Sequence, residues 1–501
     1  MSEIKKQISK LLKSKLESSS FIIFPNIYRS EYIQLKFVWL ILSFICVGWC
    51  SWLMSRTVID YFNYDVITKT EVKYETHLIF PVITICNTNP FTTEYSRKFI
   101  TSLFNSSEEN FDNNFLTKYL VNYHIAKNLT DPYLFGQKLD EIIVSCTYGL
   151  NECNLNEDFE HYYDFNYGNC YRFNSGKNMN GKQVKQRYAN ALFGVFDVQL
   201  WAGPAQNNYN FFSIDNGLIL FITNESTNTA LANGINISPG FSTKISLEKL
   251  TITKKPKPYS NCIDNLNTID SYHSLAFKKL ISQNQNQTYN YVNCYILCLQ
   301  KHLGDKCQCQ LKFLDSIYYE EMRLCFSISS SRDIDNQCFI DSLKLFLNDS
   351  KPYLTECDCP IECEYNFFRY SNSFAEFPSR NILPYMINSA KIKKILNQSN
   401  LSDSLETFEL LRKSIARVQI SYQDMMQTFI TEYPKMQSTD LVSSLGGLIG
   451  LFLGLSFLSF IEIFDFLLQL INILLKTNTF CRIKKQNSLT NRINVKSVDR
   501  F

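Results

Sequence analysis

Two stretches of the chain are mainly apolar and uncharged at every position, and their lengths predict membrane helices. Phe37 to Met54 carries no charge over 18 residues, about 27 Å at ~1.5 Å per residue. Lys36 and Arg56 flank it, and Trp39, Trp49 and Trp52 are placed as interfacial aromatics. A signal peptide fits poorly, because the run starts late, lacks a small-residue cleavage site and continues into Tyr61 and Phe62. Leu441 to Ile461 is uncharged over 21 residues; after Glu462 and Asp465 the apolar pattern resumes as far as Leu475. The whole stretch would be roughly 50 Å long, more than a ~30 Å hydrocarbon layer needs, so it must tilt, break or leave the membrane.

Between these spans the pattern is shorter in range. Apolar runs bounded by Gly, Asn and Pro predict strands over Val82–Ile85, Leu218–Thr223 and Phe241–Leu247. A 3.6-residue period predicts helices over Asn293–His302 and Leu405–Val418. Asn- and Ser-rich stretches at 105–114, 282–288 and 395–404 read as loops, and no internal repeat is present. The expected organisation is a cytoplasmic segment at 1–36, a first transmembrane helix at 37–57, an extracellular cysteine-rich domain at 58–440, a second transmembrane helix at 441–475, and a cytoplasmic tail at 476–501.

Charge sets the expected topology. Residues 1–36 hold seven Lys/Arg against three acids, and residues 476–501 hold seven against one. The region between the spans holds 36 basic and 41 acidic residues, so the positive-inside bias places both tails in the cytoplasm. Seven N-x-S/T sequons, at Asn105, Asn128, Asn224, Asn286, Asn348, Asn397 and Asn400, all fall in the central region as glycosylation sites. Asn236 is a poorer acceptor because Pro239 follows its serine. The net charge of +3 lacks the basic excess of a nucleic-acid binder. No P-loop, zinc-hydrolase or nucleophile-elbow pattern supports an enzyme, and no cofactor is expected.

Fourteen of the 17 cysteines lie between Cys86 and Cys363, an even number in an oxidising compartment. Cys46, Cys50 and Cys481 are left as free or lipidated thiols. Zinc binding is the competing reading of Cys307-Gln-Cys309 and Cys357-Asp-Cys359, but each pair has one intervening residue and no histidine at ligand spacing. Fourteen cysteines can pair in roughly a hundred thousand ways, so counting does not give connectivity. The fold class is a membrane protein with two transmembrane helices and a large disulfide-rich mixed α/β ectodomain.

Five separated motifs then resemble one family in the right order. They are FPVITICNTNPF (Phe80 to Phe91), YGNCYRFNSG (Tyr167 to Gly176), SPGFSTKIS leading to KPYSNC at Cys262, the cysteine run from Cys294 to Cys309 with CDCPIEC (Cys357 to Cys363), and SSLGGLIGLFLGLSFLSFIEIFDF. Together they resemble the degenerin/epithelial sodium channel family, nearest in layout to its acid-sensing and peptide-gated branches. The resemblance implies one subunit of a homo- or heterotrimeric, amiloride-sensitive, sodium-selective channel of the plasma membrane. Its ectodomain would comprise palm, β-ball, finger, thumb and knuckle. It also implies the disulfides Cys86–Cys170, Cys146–Cys153, Cys262–Cys363, Cys294–Cys359, Cys298–Cys357, Cys307–Cys338 and Cys309–Cys325.

The pore expectations join that resemblance to physical sense. Gly454-Leu455-Ser456 matches the family's selectivity filter, and a glycine there lets the helix unwind and frees carbonyl oxygens for Na+. Gly446, Gly450 and Gly454 alternatively form a small-residue packing stripe. Acids inside an apolar span are costly and face water, so Glu462 and Asp465, three apart on one face, read as cation-concentrating groups at the inner mouth. Gly450 matches the amiloride-contact position, and Ser443 the small-residue site where bulk holds related channels open. Tyr259, with Tyr64 as its aromatic candidate, matches a position that couples ectodomain to pore.

Two departures bear on opening. Ile22 and Ile23 stand where the family has a His-Gly pair. None of the five histidines (His77, His124, His161, His273, His302) matches the acid-sensing position, and Thr428 stands near that branch's palm glutamate. These disfavour proton gating and leave an extracellular neuropeptide as the favoured stimulus. A proton-gated or constitutive channel is the alternative. A non-conducting accessory or receptor subunit needing a partner is the second.

Overall fold

The computed structural model describes residues 31–104, 132–203, 215–224, 233–264, 291–310, 338–346, 359–399 and 404–473, apart from single positions within them, with isolated residues elsewhere. Two compact units result: Met1–Ile67 with Tyr433–Phe501, and Thr68–Glu432.

In the first unit, α1 runs Ile33–Phe62, longer at both ends than the 37–57 span, because Tyr61 and Phe62 continue the apolar pattern. It is long and apolar enough to cross a membrane, and Cys50 is its one buried residue among those described. Trp49 and Trp52 pack at 5.7 Å between centroids, with the Arg56 guanidinium over Trp52. Just past the helix, the Lys435 ammonium reaches Asp65 at 3.0 Å, and the Lys435 N–H donates to the Asp65 carbonyl.

Two large sheets and two two-stranded pairs make up the second unit among the described residues. Its strands are β1 (Val66–Tyr74), β2 (Leu78–Ile79), β3 (Val82–Asn87), β4 (Ile143–Tyr148), β5 (Asn151–Glu152), β6 (Phe159–Asp164), β7 (Gly168–Phe173), β8 (Tyr188–Ala189), β9 (Phe196–Trp201), β10 (Leu218–Thr223), β11 (Ile235–Ile237), β12 (Phe241–Thr253), β13 (Cys262–Ile263), β14 (Ile361–Glu362), β15 (Glu364–Glu376) and β16 (Ile415–Pro434). The larger sheet has the order β15-β12-β16-β9-β4-β5, with β1 also on β16; the smaller is β11-β10-β3-β7-β6, and the two pairs are β2 with β8 and β13 with β14.

Alternation explains the larger sheet. Phe196, Val198 and Leu200 of β9 and Ala416, Val418 and Ile420 of β16 are fully buried, while Asp197, Gln199, Arg417 and Gln419 between them are half-buried. On that polar face Arg417 holds Asp197 through Nε at 2.9 Å and through Nη2, and Gln419 Nε2 adds a bond at 2.8 Å. The pairing with Asp197 raises the Arg417 pKa further. In the smaller sheet β3 is buried at all six positions. One core joins both sheets through Phe80, Tyr148, Phe173, Phe196 and Tyr422, with Phe173 stacked on Phe196 at 4.4 Å. Burial drives the Tyr148, Tyr171 and Tyr422 hydroxyls far above their usual range.

The helices are α2 (Glu94–Phe104), α3 (Leu139–Ile142), α4 (Tyr291–Cys307), α5 (Leu383–Ile387), α6 (Ala390–Ser399) and α7 (Ser404–Ser414). The helix expected over Leu405–Val418 stops at Ser414, and Ile415 opens β16. The error has a physical source: Leu411 and Ile415 are four apart and both buried in one cluster, so a helical period fits across the junction.

Seven disulfides cross-link this unit: Cys86–Cys170, Cys146–Cys153, Cys262–Cys363, Cys294–Cys359, Cys298–Cys357, Cys307–Cys338 and Cys309–Cys325. They are the pairs the resemblance implies. Cys86 and Cys170 face each other in the β3–β7 register. Cys294 and Cys298, one turn apart on α4, reach Cys359 and Cys357.

Candidate functional site

The second apolar stretch breaks into two helices. The first, α8 (Ser438–Leu453), begins after Gln437, whose backbone N–H donates to the Asp440 carboxylate at 3.0 Å. It ends where Gly454 takes a left-handed conformation at φ 67°, its N–H donating to the Gly450 carbonyl at 3.0 Å. Any other residue there meets the Cβ penalty of that region, about 1 kcal/mol for alanine. Gly454, Leu455 and Ser456 lie outside both helices, and α9 (Phe457–Ile473) resumes at 75° to α8. Of the three outcomes allowed by a 50 Å apolar stretch, the structure takes the break.

The break is secured by a residue the sequence reading missed. The Ser456 N–H donates to Ser459 Oγ at 3.1 Å, and the Ser459 N–H donates back to the Ser456 carbonyl at 3.0 Å. Ser459 is buried. The Ser-x-x-Ser spacing, an N-cap pattern at the start of a helix, is the signal that could have found it.

The glycines divide by role. A Cβ on Gly446 or Gly447 would meet nothing within 4 Å, so neither marks a close helix approach in this chain. A Cβ on Gly450 would sit 3.6 Å from the Leu455 carbonyl. α1 meets α8 one residue pair away from the stripe, with Cys50 Sγ 3.8 Å from the Leu448 carbonyl. The Ser443 hydroxyl donates back to the Thr439 carbonyl at 2.8 Å, leaving its face exposed. Glu462 and Asp465 both lie on α9 and so share its face. Asp465 Oδ2 accepts Lys15 Nζ at 2.6 Å and Gln469 Nε2 at 2.9 Å.

The remaining expected residues are distributed as follows. Tyr64 belongs to the first unit, at φ 52° beside Tyr61 and Phe62. Tyr259 belongs to the second, its N–H closing a turn onto the Pro256 carbonyl. The Asn224 amide is engaged by the Asn366 carbonyl, Asn397 lies within α6, and Asn236 lies in β11 opposite Ile219. Asn105, Asn128, Asn286, Asn348, Asn400, Cys481, His124, His273 and the Ile22-Ile23 pair lie outside the described residues. His161 Nε2 meets Asn169 Oδ1 at 3.1 Å, His77 Nδ1 meets Thr76 Oγ1 at 3.0 Å, and His302 packs on Phe346. Among the described residues no cluster of His, Cys, Asp and Glu could hold a metal ion.

The ectodomain also presents a cleft of about 340 Å³ lined by Glu157, Asp158, Asn174, Val184, Lys185 and Arg187, among others. Arg187, Asp158 and Glu157 of its lining are tied internally, Glu157 by the Asn178 amide at 3.2 Å. Arg187 pairs with Asp158 at 2.5 Å, and the Arg187 N–H and the Phe80 carbonyl bind the two ends of the Asn174 amide. β2 pairs with β8, and Tyr422 of β16 donates to the Ile79 carbonyl at 2.8 Å, which ties β2 to the larger sheet as well.

Comparison with known proteins supplies the identity of this architecture. Residues 16–466 match the family described as "Amiloride-sensitive sodium channel". The human bile acid-sensitive ion channel is 23% identical over 90% of this chain and 84% of its own length. The FMRFamide-activated amiloride-sensitive sodium channel of Cornu aspersum is 21% identical over 89% and 80%, and human acid-sensing ion channel 2 is 22% identical over 92% and 88%. The family match spans the disulfide-linked ectodomain, the α8–α9 break and both acids of α9, and the chain belongs to the amiloride-sensitive sodium channel family, a family of ion channels and not of enzymes.

Proposed function

We propose that this chain is a pore-forming subunit of a trimeric, sodium-selective, amiloride-sensitive channel of the plasma membrane, with both termini cytoplasmic and opening driven by an extracellular ligand. The observation that carries the reading is the break at Gly454-Leu455-Ser456. Three residues leave helical geometry in the middle of an apolar stretch, which lipid does not tolerate unless their backbone groups line a polar path. Three such segments around an axis would ring the path with oxygen ligands for Na+, with Glu462 and Asp465 concentrating cations below. Gly450 and Ser443 would line the outer pore, where amiloride acts on relatives. Exposed apolar side chains fit an assembly: Val72, Tyr74 and Phe374 in the ectodomain strands, and Leu451 and Phe457 in the membrane helices, call for cover by lipid or by further copies.

For the stimulus, a neuropeptide is the favoured ligand, supported by the FMRFamide-activated relative and by the missing acid-sensing residues. Tyr64 and Tyr259 would couple ligand binding to the pore. A second reading, an accessory subunit that conducts only with a related partner, draws support from Ile22-Ile23 in place of the His-Gly pair.

The test is whole-cell current from the chain expressed alone, with Ser443→Cys held open by thiol modification. A current that reverses near the sodium potential and is blocked by amiloride supports the homomeric pore; acid, amidated peptides and bile acids applied in turn then sort the stimulus. Surface-expressed protein that stays silent when forced open rejects the self-sufficient pore. Current restored by a related subunit would establish the accessory reading.

A further inference from the structure

Lys15 and Asp465 are 450 residues apart in sequence and 2.6 Å apart in space, both within the first unit. No helical spacing produces this pair; the segment before α1 has to fold back onto α9 to make it. Its geometry is shared with Gln469, whose amide donates to the same Oδ2 from one turn further along α9. Asp465 is therefore not a bare carboxylate. It is oriented by one neutral donor of its own helix and neutralised by a cation brought from another part of the chain.

The exposure of the pair decides what such a contact can do. The Lys15 side chain is 34% exposed and that of Asp465 49%. A contact of this kind is easily exchanged. A lysine ammonium is a compact point charge on a flexible stem, and water reaches both partners. Any cation arriving at this carboxylate competes with Lys15 for one oxygen. Lys15 thus behaves as a permanently present, low-affinity ligand whose local concentration is fixed by the chain.

We propose that Lys15 is a tethered counter-ion that sets the charge of the cytoplasmic mouth of the pore by occupying Asp465, and that it thereby weakens binding of divalent cations entering from the cytoplasm. The proposal rests on the pore role proposed above for α9. In a trimer, three lysines would offset three aspartates, so the mouth admits monovalent ions without trapping Mg2+. Removing the lysine leaves the carboxylate to solvent ions.

Two measurements on the full chain test it. In inside-out patches from channels held open through thiol-modified Ser443→Cys, Lys15→Gln lowers the half-blocking concentration of internal Mg2+ roughly two- to fivefold, the range expected for an exposed pair. Lys15→Arg leaves it near the starting value. Lys15→Asp alone tightens block, Asp465→Lys alone loosens it, and the two together return it toward the original. Separately, a water-soluble carbodiimide, which joins an amine to a carboxylate only when the two are in contact, couples Lys15 to Asp465 through an amide, detected by mass spectrometry of the digested chain, and Lys15→Gln removes that product.

Unchanged Mg2+ block in conducting Lys15→Gln channels overturns the proposal and leaves the pore reading intact, as does absence of the Lys15–Asp465 cross-link. A chain that carries no current when forced open, alone or with a related subunit, rejects the pore reading and takes the charge-setting role with it. The cross-link then still reports whether Lys15 meets Asp465.

Discussion

The two units of this chain solve opposite problems with different residues. The unit of Thr68–Glu432 buries its strands on its own: Phe196, Val198, Leu200, Ala416, Val418 and Ile420 are shielded completely, and seven disulfides close loops whose ends lie between 7 and 101 residues apart. The unit built on α1, α8 and α9 leaves Phe44, Leu451 and Phe457 mostly exposed, buries only Cys50 of α1 and Ser459 of α9 among its described positions, and has two free thiols and no disulfide among the described residues. The first kind of unit carries its own solvent-excluding core; the second waits for a surrounding medium. Sensitivity to mutation should therefore differ in kind between them.

The largest expected effect tests the cross-links. Cys86 and Cys170 are fully buried and their loop is long, so Cys86→Ser should destabilise the ectodomain by about 2–5 kcal/mol and abolish surface expression, measured by surface biotinylation. Cys46→Ser in α1 should leave expression unchanged. Equal losses from both would break the contrast.

Next comes the core. Phe196→Ala removes a ring stacked on Phe173 and should cost about 3–5 kcal/mol in thermal unfolding of the detergent-solubilised protein. Leu451→Ala, at a position 79% exposed in the isolated chain, should change stability by no more than about 0.5 kcal/mol in a dissociated subunit. A larger cost in the assembled state would show that another copy covers it.

A smaller and more local effect is expected at the helix break. Ser459→Ala removes the acceptor for the Ser456 N–H, a loss of about 1 kcal/mol confined to that turn. It should shift the reversal potential under sodium–potassium gradients while surface expression holds.

The smallest effect is a pH dependence. Burial holds the Glu362 carboxyl above its usual value, against the bond its oxygen accepts from the Tyr291 N–H at the start of α4. The folded chain then keeps this proton to higher pH than the unfolded chain, so stability falls as pH rises from the ordinary glutamate range through the raised value. Glu362→Gln keeps an acceptor for Tyr291 and removes that fall. Its melting temperature should exceed the parent's slightly at pH 7.5 and match it below about pH 4.

How much of this was legible follows from the range of the interactions. β10 was read with its bounds, because Leu218–Thr223 is a short apolar run between Gly217 and Asn224. β12 was read only to Leu247; it continues to Thr253 because thirteen residues pair with β15, a partner more than a hundred positions away. β15 itself is largely exposed and shows no alternation to read. At the proposed pore, the family motif points to Gly454 to Ser456, where α8 and α9 part, and to the acids of α9. It did not give Ser459, whose role depends on the turn after the break, nor Lys15, whose meaning exists only once α9 is folded beside it.

One consequence of the larger sheet concerns synthesis. β16 lies between β12 and β9 and also carries β1, yet it is the last of the described strands to be made. At about 5–20 residues per second, β1 waits on the order of tens of seconds for it after leaving the ribosome. From the time each is made until β16 follows, β9 and β12 present unsatisfied edges. Any chain that terminates before Ile415 would never acquire the strand that seals them. Quality control should therefore discriminate sharply between products ending on either side of β16, and the lumenal chaperones that mask open edges become part of the route to the cell surface.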